Sequence, residues 1–338
     1  LNAFYADIHQ QPAALRQCVT FYQEAGAAML LDKLRKPERV LLTGMGASYH
    51  AALWASYVLQ ARGIWAIALQ ASDLIAYSRS LLDGVDQVVF ISQSGASGEV
   101  LPFVENLPPS IELIAITNDP QSLLAGSART VLPLLAGSEA SVATRTYLNS
   151  LACLWLLAQA WHHGHDERDC QVLLQLADRV EQLIAQGDES AKVWLESLSA
   201  AQRLCFLGHG PHTTTAQQSA MMLAEWAKHA SIGTSIGAFR HGLIEIVDDE
   251  TSVVIYGAGG VTGASAQALA SELRSYGARV MSIIEGKLVT GDAAQREFDE
   301  MLGVFLDVIP AQIFAEAMAR HLGIAPGFRH ISKVVQRL

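Results

Sequence analysis

Charge is what this chain of 338 residues has least of: only 17% are Asp, Glu, Lys or Arg, where an average soluble domain carries about 25%. Hydrophobic residues make up 51%. A disordered chain shows the reverse balance, so the sequence specifies a folded protein, and the shortage of surface charge points to burial against another chain. Basic residues are the scarcer sign, 23 against 33 acidic ones for a net charge of −10. That leaves no basic footprint for nucleic acid. Long hydrophobic runs are missing too, although the mean hydropathy is +0.24. The densest run, Leu151–Ala158, stops at Gln159, whereas a membrane span needs about 20 apolar residues. A buried helix is expected there, and no membrane association. The N-terminal stretch lacks a basic segment followed by an apolar core, so no signal peptide is expected. Cysteine is limited to Cys18, Cys153, Cys170 and Cys205, with no CxxC pair. They read as small core residues in a reducing, cytoplasmic setting.

What is present is repetition. At roughly 150 residues per domain the length implies two domains, and the two halves look alike. RVLLTGMG from Arg39 stands over RLCFLGHG from Arg203, QVVFISQSGASGE from Gln87 over SVVIYGAGGVTGA from Ser252, and IELIAITND from Ile111 over ARVMSIIEG from Ala278. The offset grows only from 164 to 167, as loops changing length would make it. Each half reads strand, Gly turn, helix, strand, Gly turn, helix, strand. Continuous Val- and Ile-rich runs suit a parallel sheet buried on both faces, with helices over Tyr49–Arg62 and Thr214–His229. Right-handed crossovers then predict a doubly wound α/β sandwich per half.

Ligands of such folds bind beyond the carboxyl ends of the strands. The turns Gly44–Ser48 and Ser92–Ser97 place Ser48, Ser92, Ser94 and Ser97 there, beside helix N-termini, a setting made for phosphate. A dinucleotide fingerprint would need a third glycine where Tyr49 stands and an acid closing the second strand. Any one serine is accounted for as a turn or cap residue, whereas four on two adjacent strand ends favour a ligand. The second half has Gly257-Ala258-Gly259-Gly260 in place of Ser92-Gln93-Ser94-Gly95, so one sugar-sized ligand per chain is expected.

Five segments now make the chain resemble the sugar isomerase (SIS) domain family, specifically the tandem-SIS isomerase portion of glucosamine-6-phosphate synthase. GASYHA at Gly46–Ala51 is similar to the family's first phosphate loop and SQSGAS at Ser92–Ser97 to its SQSGET loop. AGSEASVATRTY at Ala136–Tyr147 resembles AGxExxVASTKAF, GAFRHG at Gly237–Gly242 resembles GELKHGP, and RHISKVV at Arg329–Val335 resembles RNLAKSV. The resemblance implies two SIS-type doubly wound parallel-sheet sandwiches in tandem with helical extensions. Their expected limits are a helical extension over 1–35, a first domain with the phosphate loops over 36–160, a helical linker over 161–200, a second domain over 201–325 and an active-site tail over 326–338.

It also implies roles. Ser48, Ser92, Gln93, Ser94 and Ser97 would bind a sugar phosphate, with Ala47, Val142 and Ser332 lining the sugar site. Counting from the Gly208-His209-Gly210 turn, the family's C1/C2 proton-transfer glutamate falls on Glu225. Its ring-opening histidine, which reaches a neighbouring subunit's site, falls on His241, and its C-terminal lysine on Lys333. A homodimer or higher homo-oligomer with shared active sites follows from that reach. No metal or organic cofactor is implied, and no metal site is expected at His162, His163 and His165.

Read as residues, Glu225 is either a surface acid paired with Lys228 or, among apolar neighbours, a base with a raised pKa. The aligned His241 and Lys333 favour the base. His241 suits proton transfer near neutrality. Lys333 is a solvated tail charge unless the tail folds over a pocket.

There are departures. Met222 replaces a lysine, Thr144-Arg145-Thr146 replaces STK and Leu243 replaces a proline. Neither a front glutaminase domain nor ammonia from glutamine is expected. Position 222 and the loops near His209 and Arg145 are expected to select the substrate's amine portion. The resulting expectation is a phosphosugar-processing enzyme. It would bind a 6-phosphorylated amino sugar or fructosamine and catalyse deglycation, deamination or aldose–ketose isomerisation. The alternative is a non-catalytic sugar-phosphate-binding regulator. Against it stand the three catalytic candidates and the lack of any helix-turn-helix or basic extension.

Overall fold

The computed structural model describes residues 2–289 and 296–335. The end of the tail placed at 326–338 and one stretch of the domain placed at 201–325 lie outside the described residues. Two compact units are found. One gathers Gln10–Asp178 with the segment from Arg329 onward, the other the residues up to His9 with Arg179–Phe328.

In the first unit, strands β1 (Arg39–Gly44), β2 (Trp65–Gln70), β3 (Gln87–Ile91), β4 (Glu112–Thr117) and β5 (Thr130–Pro133) form a sheet in the order β2-β1-β3-β4-β5. Every pairing is parallel, with Val89 opposite both Leu42 and Ile114. In the second unit, β6 (Arg203–Gly208), β7 (Ile232–Ser235), β8 (Thr251–Tyr256), β9 (Arg279–Ile284) and β10 (Lys287–Leu288) are ordered β10-β9-β8-β6-β7. The first four are parallel and β10 runs antiparallel on β9. Read from β7, the strands follow the first sheet's order, so the sequence repeat is a repeat of topology.

The strands expected from apolar runs are the inner three of each sheet. β3 and β8 are buried at every residue, as a strand covered on both faces must be. Four strands were not expected: β2, β5, β7 and β10. All are edges: β2, β5 and β7 are only partly buried and both residues of β10 are exposed, so they show no run buried on both faces.

The run Leu151–Ala158 lies in the 19-residue helix Arg145–His163 and is wholly buried. From Gln10 on, the helix Ala3–Gln23 packs into the first unit: Cys18 Sγ lies 3.8 Å from Cys153 Sγ, and the Tyr22 hydroxyl donates to Pro133 O at 3.0 Å. All four cysteines are free and buried. Burial pushes the Cys170 and Cys205 thiols up to about 11, which makes them packing groups, not nucleophiles. No described helix is long and apolar enough to cross a membrane.

Candidate functional site

Strands β1 and β3 are neighbours from which the chain departs in opposite directions, β1 toward β2 and β3 toward β4. Such a switch point opens a crevice beyond the carboxyl ends, and both serine-bearing turns border it. After β1 the chain turns through Gly46 into the 15-residue helix Ala47–Ala61, whose N-terminus no side chain caps. The positive end of its dipole therefore lies beside half-buried Ser48, while the N–H groups of Ser48, Tyr49 and His50 go to the carbonyls of Met45 and Gly46. After β3, Ser92 Oγ accepts the Gly95 N–H at 3.1 Å and Ser94 Oγ that of Ala96 at 3.2 Å. A hydroxyl that accepts a backbone N–H still has its own proton to donate.

The loop is held from β4: Gln93 O accepts from Asn118 N at 3.0 Å and Thr117 Oγ1 at 3.3 Å, and Gly95 O accepts from Leu124 N at 3.1 Å. Gly95 has φ +59°, and a Cβ there would lie 2.0 Å from Ser122 Oγ, so only glycine fits. Gln93, Ser94 and Ser97 are half-buried and Ser92 is buried. The structure thus gathers all five expected phosphate-binding residues on two adjoining turns. Ala47 is half-buried at the start of the same helix, and Val142 is buried.

The C-terminal segment also belongs to this unit. Gly98 N, at the end of the serine loop, donates to Val335 O at 3.0 Å. The Lys333 ammonium donates to Glu139 Oε2 at 3.0 Å and to Ser141 O. Ser332 is exposed, its hydroxyl turned to Val334 O at 2.6 Å.

Glu139 has no solvent exposure of its side chain. Its Oε1 accepts Thr144 N and Thr144 Oγ1, both at 2.9 Å, and its Oε2 accepts Thr146 Oγ1 at 2.6 Å. Burial pushes the carboxyl up, but the Lys333 charge and the threonine donors outweigh it and hold Glu139 below the ordinary carboxylate value. The carboxylate also sits at the N-terminus of helix Arg145–His163, where a negative charge is favoured. Sequence reasoning missed this residue. It is the acid of the AGxE segment, which was given no role there because its cationic partner lies 194 residues on. The Arg145 guanidinium donates to Gln10 Oε1 at 2.8 Å and to Ser138 O, bracing the same loop.

In the second unit the helix expected over Thr214–His229 is α-helical only from His212 to Met222. Leu223–Ala227 is a π turn, and Lys228 closes it in the left-handed region at φ +55°. Half-buried Glu225 stands inside that turn, flanked by buried Leu223, Trp226 and Ala227. A π turn inserts a residue and re-aims its side chains, a feature frequent at functional sites. The Lys228 ammonium goes to the carbonyls of Glu225 and Gly327. Met222 is fully buried. His241 ends the short helix Ile236–Arg240 and is exposed. His209 is half-buried, and burial together with the charge of Arg240 lowers its pKa.

The turns here are filled from within. His212, four residues past Gly208 as Ser48 is past Gly44, lies against Gly257, where a Cβ would come 2.3 Å from its ring. Its Nδ1 stands 3.1 Å from Asp307 Oδ2, both side chains being buried, and Asp307 Oδ1 accepts Gly286 N at 2.8 Å. Glu300 takes the Val261 N–H at 2.9 Å. No group of three or more His, Cys, Asp or Glu suited to a metal occurs among the described residues.

The sequence profile of the SIS domain matches residues 33–160 and 197–315. Glutamine–fructose-6-phosphate aminotransferase (isomerizing) of Shouchella clausii is 28% identical over 330 residues, covering 94% of this chain and 55% of its own. The chain spans about half the length of the curated relatives it matches. Glucosamine-6-phosphate deaminase of Thermotoga maritima superposes with a TM-score of 0.80 at 25% identity, over 99% of both chains. Tagatose-6-phosphate ketose/aldose isomerase of Escherichia coli gives 0.82 at 24%, over 98% of this chain and 96% of its own, a likeness of fold.

Proposed function

Because this chain belongs to the SIS domain family, with two such domains in tandem, we propose that it is an enzyme acting on a 6-phosphorylated amino sugar or fructosamine. The observation that carries the reading is the serine cradle at the β1/β3 switch point. Ser48, Ser92, Gln93, Ser94 and Ser97 stand on the two turns there beside a helix N-terminus without a side-chain cap, and hydroxyls and a dipole end in that place suit a phosphate. The filled turns of the second unit support one such ligand per chain.

The chemistry follows from the residues. Ala47, Val142 and Ser332 line the sugar. His241, from a neighbouring subunit, and Lys333 assist ring opening. Glu225 takes the proton from one of C1 and C2 and returns it to the other. A 2-amino sugar phosphate becomes the C2 imine of the ketose, and a fructosamine phosphate the C1 imine of the aldose. Water adds to the imine carbon, the C–N bond breaks, and a hexose 6-phosphate leaves with ammonia or an amine. With no nitrogen on the substrate the same proton transfer is an aldose–ketose isomerisation. The reaction proceeds in the cytoplasm.

The test is to incubate the protein with glucosamine 6-phosphate, fructoselysine 6-phosphate and hexose 6-phosphates, measuring amine release and isomerisation. Glu225→Gln should lower turnover by about 10²–10⁴-fold. Turnover unchanged by that substitution overturns the proton-transfer role. Tight binding with no turnover on the whole panel would make the protein a sugar-phosphate-binding regulator.

A further inference from the structure

Resting on the reading above, we propose that Glu139 is the residue that positions Lys333, fixing the C-terminal segment and a protonated amine beside the phosphate cradle. Glu139 Oε1 accepts the N–H and hydroxyl of Thr144 and, at 3.3 Å, the N–H of Thr146, and its Oε2 carries the hydroxyl of Thr146 at 2.6 Å. A carboxylate oxygen offers two lone-pair directions, so Oε1 has no place left for a cation. The place that remains on Oε2 holds the Lys333 ammonium at 3.0 Å.

Burying a carboxylate without a cation is costly. The loop 136–146 therefore recruits one, from 194 residues further along the chain. Among the described residues two of the three ammonium donors are engaged, by Glu139 Oε2 and Ser141 O. The third is left for a ligand. The same segment closes on the serine loop through Gly98 N and Val335 O at 3.0 Å. Glu139 touches no phosphate-binding residue in any of these bonds, so it acts through Lys333.

Hydrogen exchange of the segment Arg329–Val335 in the whole protein tests this without any substrate. Glu139→Gln keeps the shape and an acceptor for Thr144. Lys333→Met keeps the Glu139 cluster and removes the cation. Both should raise exchange in the segment about ten-fold or more, the loss expected for a charge-assisted hydrogen bond. Inorganic phosphate affinity should stay within about two-fold of wild type, because the cradle hydroxyls are untouched. On the best substrate, Glu139→Gln should lower kcat about ten-fold or more while KM holds within a few-fold, as a displaced group does.

Unchanged protection of the segment in Glu139→Gln overturns the proposal. So does a loss of phosphate affinity as large as the loss of kcat, which would mark a collapsed loop. If Glu139→Gln does not fold, Lys333→Met decides: protection retained there overturns the proposal. The two readings separate cleanly. Full turnover in Lys333→Met with a released segment removes Lys333 from the chemistry and leaves the anchor standing. An inactive Lys333→Met beside a fully active, fully protected Glu139→Gln does the reverse.

Discussion

Replacing Gly95 by alanine tests the cradle at its tightest point. Two costs are independent. Gly95 has φ +59°, and an L-residue in that region loses about 1–2 kcal/mol. The new methyl would also lie 2.0 Å from Ser122 Oγ and 2.5 Å from Ser122 Cβ, closer than any real contact. Ser122 cannot step aside without loss. Its hydroxyl caps the helix Leu123–Ser127 by accepting Ala125 N at 3.3 Å and donates to Asp119 O at 2.7 Å. Losing such a cap costs about 1 kcal/mol, and overpacking costs about 1–3 kcal/mol. The substitution should therefore destabilise the fold by about 3 kcal/mol, a drop in Tm of about 6–12 °C. It should also weaken phosphate binding, because Ser92 and Ser94 hang on the displaced loop.

The assay is urea unfolding of wild type, Gly95→Ala, Ser122→Gly and the double variant. Removing the Ser122 side chain relieves the overlap but not the backbone strain. The double variant should then be more stable than additivity by about 1–2 kcal/mol. Strict additivity would show that the contact is not the source of the loss. Wild-type stability in Gly95→Ala would refute the whole argument.

Other outcomes follow from the same structure. Thiol reagents at mildly alkaline pH should label none of the four cysteines in the native protein and all four after unfolding, since burial pushes Cys170 and Cys205 to about 11 and all four are buried. Labelling of native protein at wild-type rates of an exposed thiol would remove them from the core. The carboxyl of Glu139 is held below its ordinary 4.5. The stability it brings is complete above that value and fades as pH falls through the lowered one. The Tm gap between wild type and Glu139→Gln should thus stay constant at neutral and mildly acidic pH and narrow below 4.5; a gap that narrows in the neutral range contradicts the assignment. Mixing inactive Glu225→Gln with inactive His241→Ala should restore part of the activity if His241 completes a neighbour's site, and no recovery after verified subunit exchange counts against shared sites.

The amino-acid sequence by itself determined the inner strands of both sheets, their doubled order and the two turns of the cradle. These features are local: a strand covered on both faces is a short apolar run, and a phosphate turn is a run of Gly and Ser beside it. The edge strands β2, β5, β7 and β10 left no such mark because each has at most one buried residue. Tertiary structure alone decided the π turn around Glu225, for the segment MMLAEWAKHA has no helix breaker. It alone placed His212 against Gly257 and Asp307, filling the second half's turn, of which the sequence shows only that its glycines lack hydroxyls. And it alone joined Glu139 to Lys333 across 194 residues. A buried carboxylate needs a cation nearby in space, and nothing in the linear order of residues says which one the fold will bring.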